Sequence, residues 1–223
     1  MNERAAINTS FQMMCDRLSQ TKDFVLDMSR IARDNDSGNI SWARYEPGIY
    51  TDLAYHEEYR RLIDKGQYSI LLKDQSFVQL YYSFDKKAIK KARLAYYPNP
   101  YDLSDLDYSN DDISELMEGG MSHEDIIGSL KPKHHTHLRI DYDDAVKTHS
   151  KTHLQFSAIN TLRIDMEYCL LPMAFLNFII ENFYPSVYEQ VNKIQSYIQG
   201  VKHANNNKIR QKDHRPHFYL TCQ

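Results

Sequence analysis

The sequence predicts an α+β fold, built on a mostly antiparallel sheet of six or seven strands. In the segment 138–143, apolar and polar residues alternate with the two-residue period of a strand that has one apolar and one polar face. Two runs rich in aliphatic and aromatic residues, 68–72 and 77–84, are separated by a short polar link, which is typical of a β-hairpin. The stretch 172–183 is apolar nearly all round, as expected for a helix packed against a sheet.

The N-terminal part is predicted to be helical. Residues 1–33 place apolar side chains on a helical stripe, which indicates one amphipathic helix or two joined near 19–21. The turn-forming stretch 35–39 ends this region, and loops with one short helix should follow. We therefore expect an N-terminal helical segment with loops over 1–64 and an α+β core over 65–223.

An acidic insertion is expected within that core. A third strand over 92–97 should end at Pro98, because proline has no N–H group to donate to a strand ladder. The following stretch, 98–130, contains repeated Asp and Glu but neither Lys nor Arg, and it carries two helix-start signals. These features predict a helical hairpin inserted at about 101–131.

Two helices are predicted near the C-terminus. The first is the apolar stretch 172–183, and the second should open at the capping box 186–189 and end at Gly200. A final strand is expected over 217–222. The N-terminal helix and these two C-terminal helices should cover one face of the sheet.

Composition narrows the class of protein. A chain of 223 residues with a formal net charge of −3 does not match a general nucleic-acid coat protein. Its three cysteines lie far apart and are odd in number, which argues against a disulfide framework and a cysteine-rich zinc site. We see no signal peptide and no stretch long enough to span a bilayer. These observations predict a cytoplasmic protein with no membrane partner.

The candidate functional residues lie in the segment 134–165, which holds five of the ten histidines. If its strands pair antiparallel, four polar side chains should share the face away from the core. His149 would lie in the loop at the edge of that face. The four side chains on the face are those of Arg139, Asp141, His153 and Gln155.

Two chemistries fit this set, and the sequence leaves both open. In a metal-free version, His153 and His149 are general base and acid, while Arg139 and Arg163 hold a phosphate group. The alternative is a metal-dependent version.

In the metal-dependent version, Asp141 and Asp143, together with His149 or His153, bind Mg²⁺ or Mn²⁺ and activate water for phosphodiester hydrolysis. A structural interpretation also fits, because an antiparallel sheet commonly has one solvated face on which such residues pair across strands.

A basic block precedes this segment and is a candidate nucleic-acid-binding surface. We predict that it acts together with Arg163, although such a block is also typical of a solvated face. Three histidines that follow 131–133, His134, His135 and His137, are expected to form an exposed lead-in. The basic block comprises Lys87, Lys90, Lys91 and Arg93.

Several of these motifs recur in order in a known family. They are Ala92–Pro100, His137–Asp143, His149, His153-Leu154, Arg163-Ile164 and a helix ending at Phe183-Tyr184. Over about residues 65–200 the chain resembles a bacterial family catalogued as domain of unknown function 2290. The resemblance implies a stand-alone prokaryotic protein and carries no established activity. The pattern R-x-D-x-D followed by H-x-x-x-H also resembles, more distantly, toxin halves of toxin–antitoxin pairs, which often act on nucleic acid.

We predict a nuclease-like effector that acts on nucleic acid in a prokaryotic toxin or phage-defence system. Arg139, Asp141, His149 and His153 would form its centre. The alternative is a non-catalytic accessory subunit that binds nucleic acid or a partner protein encoded by a neighbouring gene.

Overall fold

The fold is α+β, as predicted, with a large antiparallel sheet. The computed structural model describes residues 2–19, 21, 24–33, 38–46, 53–101, 132–157 and 162–210. The final strand expected over 217–222 lies outside these residues, as does almost all of the helical hairpin expected at about 101–131.

The described residues contain five helices and eleven strands. The helices are α1 (Glu3–Leu18), α2 (Tyr55–Asp64), α3 (Pro172–Phe183), α4 (Pro185–Val191) and α5 (Gln195–Asn206). None of these helices is both long enough and apolar enough to cross a membrane. The strands are β1 (Val25–Asp27), β2 (Ile31–Arg33), β3 (Ile40–Trp42), β4 (Ile70–Leu72), β5 (Phe77–Asp85), β6 (Ala88–Tyr97), β7 (Leu138–Asp143), β8 (Thr152–Phe156), β9 (Ile164–Asp165), β10 (Tyr168–Cys169) and β11 (Ile209–Arg210).

Nine strands form the main sheet within the described residues, and every pairing in it is antiparallel. Its order is β1-β4-β5-β6-β7-β8-β9, with β3 beside the second half of β5 and β2 beside β3. The strands β10 and β11 pair separately. The sheet is wider than the six or seven strands expected, because β1, β2 and β3 come from a region that we expected to be helical or irregular.

One face of the sheet carries the main hydrophobic core. Alternate residues of β5, β6, β7 and β8 lie on this face, and α1, α3, α4 and α5 contribute buried side chains to the same cluster. On the strands, the buried members include Leu80, Leu94, Ile140 and Leu154. This arrangement follows from the strand-period alternation in the sequence, and it forces the residues between these positions onto the opposite face.

The opposite face is covered in part by α2. Three side chains of this helix, Tyr55, Tyr59 and Leu62, form a second buried cluster with sheet residues that include Phe77, Ala95 and Tyr97. The helix therefore lies over one end of the face that also carries the polar residues of β6, β7 and β8. The rest of that face holds the candidate site.

Two expectations about the helices are wrong. The N-terminal helix ends at Leu18, so Val25 and Met28 do not continue it. Instead, Val25 begins β1 and pairs with Leu72 of β4. The helical spacing of these apolar residues is outweighed by strand pairing with β4.

The second C-terminal helix is also divided. Where one helix was expected from the capping box to Gly200, α4 ends at Val191 and α5 begins at Gln195, after a turn at Asn192-Lys193. Gly200 lies inside α5, where its position faces the Met173 side chain of α3. It is therefore an interior helix residue at a close helix–helix contact and not the residue that ends the helix.

Gly200→Ala should raise the free energy of unfolding by about 0.5–1 kcal/mol, because alanine is the better residue in a helix interior. An added Cβ would lie 3.4 Å from Met173 Cε, an ordinary contact distance. Urea unfolding of the two proteins measures the difference. A clear loss of stability would indicate that the added methyl group does not fit against Met173.

Candidate functional site

The polar residues of β6, β7 and β8 stand in lateral rows across the sheet. One row runs from Tyr81 to Arg93, then to Asp141, His153 and Asp165 on successive strands. In the neighbouring row, Ala95, Arg139 and Gln155 lie side by side. The predicted antiparallel pairing of β7 with β8 is thus present, and it brings the candidate residues onto one face.

Asp141 is at the centre of this face. Its Oδ2 atom lies 2.8 Å from Arg139 Nε, and its Oδ1 atom accepts a hydrogen bond from Arg93 Nε at 3.3 Å. The Gln155 amide nitrogen donates to Oδ2 at 2.7 Å. The carboxylate is 18% exposed, so these partly desolvated contacts are stronger than surface ion pairs. Two guanidinium groups thus converge on one carboxylate.

His153 is buried within the same network. It is 6% exposed, and its Nε2 atom lies 3.0 Å from the Gln155 amide nitrogen. Burial lowers the pKa of His153, because desolvation disfavours the imidazolium form, while the nearby Asp141 carboxylate acts in the opposite direction. Because the pKa of His153 is lowered overall, the neutral form of its ring is favoured.

The Gln155 contacts determine which ring nitrogen of His153 carries the proton. A carboxylate only accepts hydrogen bonds, so the atom of Gln155 that faces Asp141 must be the NH₂ group. The other hydrogen of that NH₂ group is available to His153 Nε2, which then acts as acceptor. The proton of the neutral ring is therefore on Nδ1. In this state the Nε2 lone pair of His153 is already occupied.

His149 is the accessible imidazole of the pair. The residue is exposed, and its ring lies edge-on to the His153 ring with centroids 5.1 Å apart. His149 Nδ1 donates to the carbonyl oxygen of Ser150 at 2.9 Å, since a carbonyl only accepts. In the neutral ring this leaves the lone pair on Nε2, the nitrogen that a general base uses.

The second aspartate considered as a metal ligand has other partners. Asp143 forms an ion pair with Lys91 at 3.0 Å and accepts a hydrogen bond from Ala145 N–H at 2.9 Å. Burial opposes ionisation of Asp143, but these two partners outweigh it and hold the pKa of the carboxyl below its ordinary value. No group of three or more His, Cys, Asp or Glu residues in the described part of the chain is arranged to hold a metal ion. The metal-dependent version stays a prediction.

The basic residues divide into two sets. Lys87, Lys90 and Arg163 are exposed, and Lys87 lies at the turn between β5 and β6. Lys91 and Arg93 lie on the polar face and pair with carboxylates. The structure therefore brings Arg93 into the candidate site, with Lys91 two residues away on the same face. Binding of nucleic acid by the basic residues stays a prediction.

A buried polar cluster joins α2 to this face, and the sequence analysis did not assign it. Glu58 and His137 are both 3% exposed, and Glu58 Oε2 lies 3.4 Å from His137 Nδ1. Tyr97 donates a hydrogen bond to Glu58 Oε1 at 3.2 Å, and its ring centroid is 4.4 Å from that of His137. The expectation that His137 is exposed is wrong, because its ring is packed under α2. The alternation in 137–143 was the signal that could have placed it.

A narrow cleft separates α2 from the arginines. It encloses about 350 Å³, including space open to solvent, and Glu58 lines one side. Arg93 and Arg139 line it as well, together with the aromatic residues Trp42 and Tyr45. Arg93 and Arg139 thus line a cleft that also has an aromatic wall.

One comparison with known proteins finds a match. The family described as Uncharacterized conserved protein (DUF2290) matches residues 24–220. The chain belongs to this family. Searches of curated proteins and of solved structures found no match. Membership in DUF2290 agrees with the resemblance noted in the sequence, and the matched region contains the whole candidate site.

The lowered pKa of His153 makes the stability of this DUF2290 protein depend on pH. Between the folded and unfolded pKa values the unfolded chain binds more protons, so stability rises with pH. The contribution should be fully present above about pH 6.5, the ordinary value, and should be lost as pH falls through the folded pKa. We expect His153→Gln to lose less stability than wild type between pH 7.5 and 5, as measured by urea unfolding.

An NMR titration of the His153 ring is the control for this effect, since the chain has nine other histidines. A midpoint above the ordinary histidine value, or equal losses of stability in the two proteins, would contradict the burial argument.

Proposed function

We propose that this protein is a nuclease-like enzyme that cleaves phosphodiester bonds in nucleic acid. One observation carries the proposal: two guanidinium groups, Arg93 and Arg139, converge on Asp141 beside the paired imidazoles of His149 and His153. Phosphate recognition requires fixed cationic donors, and phosphodiester cleavage requires a proton acceptor beside them. This face of the sheet offers both.

Asp141 positions the arginines. Both guanidinium groups approach its carboxylate through Nε. A guanidinium has five N–H donors, and the remaining ones suit the oxygens of a phosphate group. Because the side chains are held before substrate arrives, little conformational entropy is lost when the phosphate binds.

His149 is the proton acceptor in this proposal. Its Nε2 atom takes a proton from the attacking hydroxyl or water, which forms a new bond to phosphorus. The bond to the leaving oxygen breaks, and that oxygen takes a proton from solvent. His153, whose Nε2 is occupied by Gln155, contacts the His149 ring and acts as a positioning residue. The proposal thus assigns proton transfer to His149 alone, whereas the sequence analysis shared it between His149 and His153.

We further propose that the protein acts in the cytoplasm as an effector of a prokaryotic toxin or phage-defence system. The support for this role is the likeness of the R-x-D-x-D and H-x-x-x-H patterns to toxin proteins. The exposed basic residues Lys87, Lys90 and Arg163 would hold the nucleic-acid backbone near the site.

A second candidate function is that of a non-catalytic accessory subunit that binds nucleic acid or a partner protein. The occupied Nε2 of His153 favours it, because a ring nitrogen that is already hydrogen-bonded serves binding and folding without proton transfer. The two functions differ in whether the protein cleaves nucleic acid. In the enzyme, cleavage requires His149, whereas the accessory subunit does not cleave.

The test is cleavage of end-labelled RNA, single-stranded DNA and duplex DNA by purified protein, in EDTA and in Mg²⁺ or Mn²⁺. Wild type should cleave in EDTA, and His149→Ala should reduce the rate about 100-fold or more, the usual effect of removing a general base. His56→Ala is the matched control, since His56 is also exposed but lies on α2.

Cleavage that requires Mg²⁺ or Mn²⁺ would replace the metal-free mechanism with the metal-dependent one. Absence of cleavage under all conditions, with nucleic acid still bound, would establish the accessory function instead.

A further inference from the structure

An aromatic pair lies at the start of the row that leads to the candidate site. The rings of Tyr45 and Tyr81 stack with centroids 4.8 Å apart and an interplanar angle of 14°. Trp42 contacts Tyr45 edge-on at 4.9 Å, and its indole N–H donates to Gln67 at 2.8 Å. Trp42 is buried, whereas Tyr45 and Tyr81 are both half-buried. Trp42 therefore packs against one ring of the pair, and part of the pair's surface is accessible.

The register of the sheet connects this pair to the arginines. Tyr81 lies opposite Arg93, which lies opposite Asp141, which lies opposite His153. With neighbouring strands about 4.8 Å apart, the line from Tyr81 to His153 is about 14 Å long. Tyr45 also lines the cleft that Arg93 and Arg139 enter. An aromatic surface, cationic donors and an imidazole thus follow one another along one line.

Cationic side chains lie near the aromatic pair on the same face, and the carboxylates of Glu46 and Glu58 line the adjoining cleft. Lys91 lies on the same face as Arg93, two residues away on β6, and its side chain is 52% exposed. Its partner Asp143 is 30% exposed, so this ion pair is open to solvent and to competing anions. A phosphate group that arrives beside the tyrosines would meet Lys91 and Arg93.

We propose that Tyr45 and Tyr81 form a base-stacking platform, and that the nucleic acid bound at this site is single-stranded. The proposal rests on the proposed function, in which Arg93 and Arg139 bind phosphate. It adds the class of nucleic acid that binds. A base of the strand stacks on the tyrosine pair, and the adjoining phosphates lie on Arg93 and Arg139.

A side chain that stacks on bases binds single strands in preference to duplexes. In a duplex both faces of each base are covered by neighbouring pairs, so an aromatic platform has nothing to contact. In a single strand the faces are available, and base–aromatic stacking is a main source of affinity that tolerates different base sequences. The platform should therefore favour RNA or DNA single strands of varied sequence over the same sequences annealed.

Trp42 provides a direct readout, because it is the single tryptophan in the chain and it contacts Tyr45. We would titrate the His149→Ala protein, which leaves the strand intact, with a short oligonucleotide and record tryptophan fluorescence. Single-stranded RNA or DNA should change the signal with saturation, and the annealed duplex should bind at least about 10-fold more weakly. This measurement on one folded protein does not depend on further variants.

Variants of the platform sharpen the test. Tyr45→Leu should weaken single-strand binding about 10-fold or more, because the stacking surface is lost, whereas Tyr45→Phe should bind like the parent. Tyr188→Leu is the matched control, since Tyr188 is also half-buried but packs against the core on the helix side of the sheet. Circular dichroism establishes that each variant is folded.

The outcomes separate this proposal from the proposed function. Equal binding of duplex and single strand, or unchanged binding by Tyr45→Leu, overturns the platform even if the wild type cleaves nucleic acid. Single-strand binding that needs Tyr45, in a protein with no cleavage activity, supports the platform and overturns the enzyme.

Discussion

The polar face of the sheet depends on the carboxylate of Asp141. Three side chains from three strands meet it: Arg93 from β6, Arg139 from β7 and Gln155 from β8. The carboxylate is 18% exposed, and two cationic side chains could not share so small a space without it. Gln155 extends the network to His153 and thereby determines the protonation state of that ring. These contacts join the side chains of Arg93, Arg139, Gln155 and His153 into one network around the carboxylate.

The core on the other side of the sheet makes this arrangement possible. Leu94, Ile140 and Leu154 are buried beneath the helices, and a shift of one residue in any of these strands would place them in solvent. The apolar alternation therefore fixes the register that brings Arg93, Asp141 and His153 into one row. Packing on one face specifies the chemistry available on the other.

The division of the sheet into an apolar face and a polar face explains what could be predicted from the sequence. The hairpin of β7 and β8 was predictable because alternation and a short connection are local features, and they suffice to place Arg139, Asp141 and His153 together. The contributions of Glu58 and Tyr45 were not predictable, because each comes from a distant segment and is positioned by tertiary contacts. Gly200 shows the same limit, since a glycine at a helix contact and a glycine that ends a helix look alike in sequence.

A double-mutant cycle on Asp141 tests the central claim most directly. Asp141→Asn should lower the free energy of unfolding by about 1–3 kcal/mol in the wild-type background, since it weakens charge-assisted contacts and leaves two partly buried cations uncompensated. In a background that carries Arg93→Gln and Arg139→Gln, the same change should cost much less, because those cations are gone. Equal losses in the two backgrounds would contradict the account.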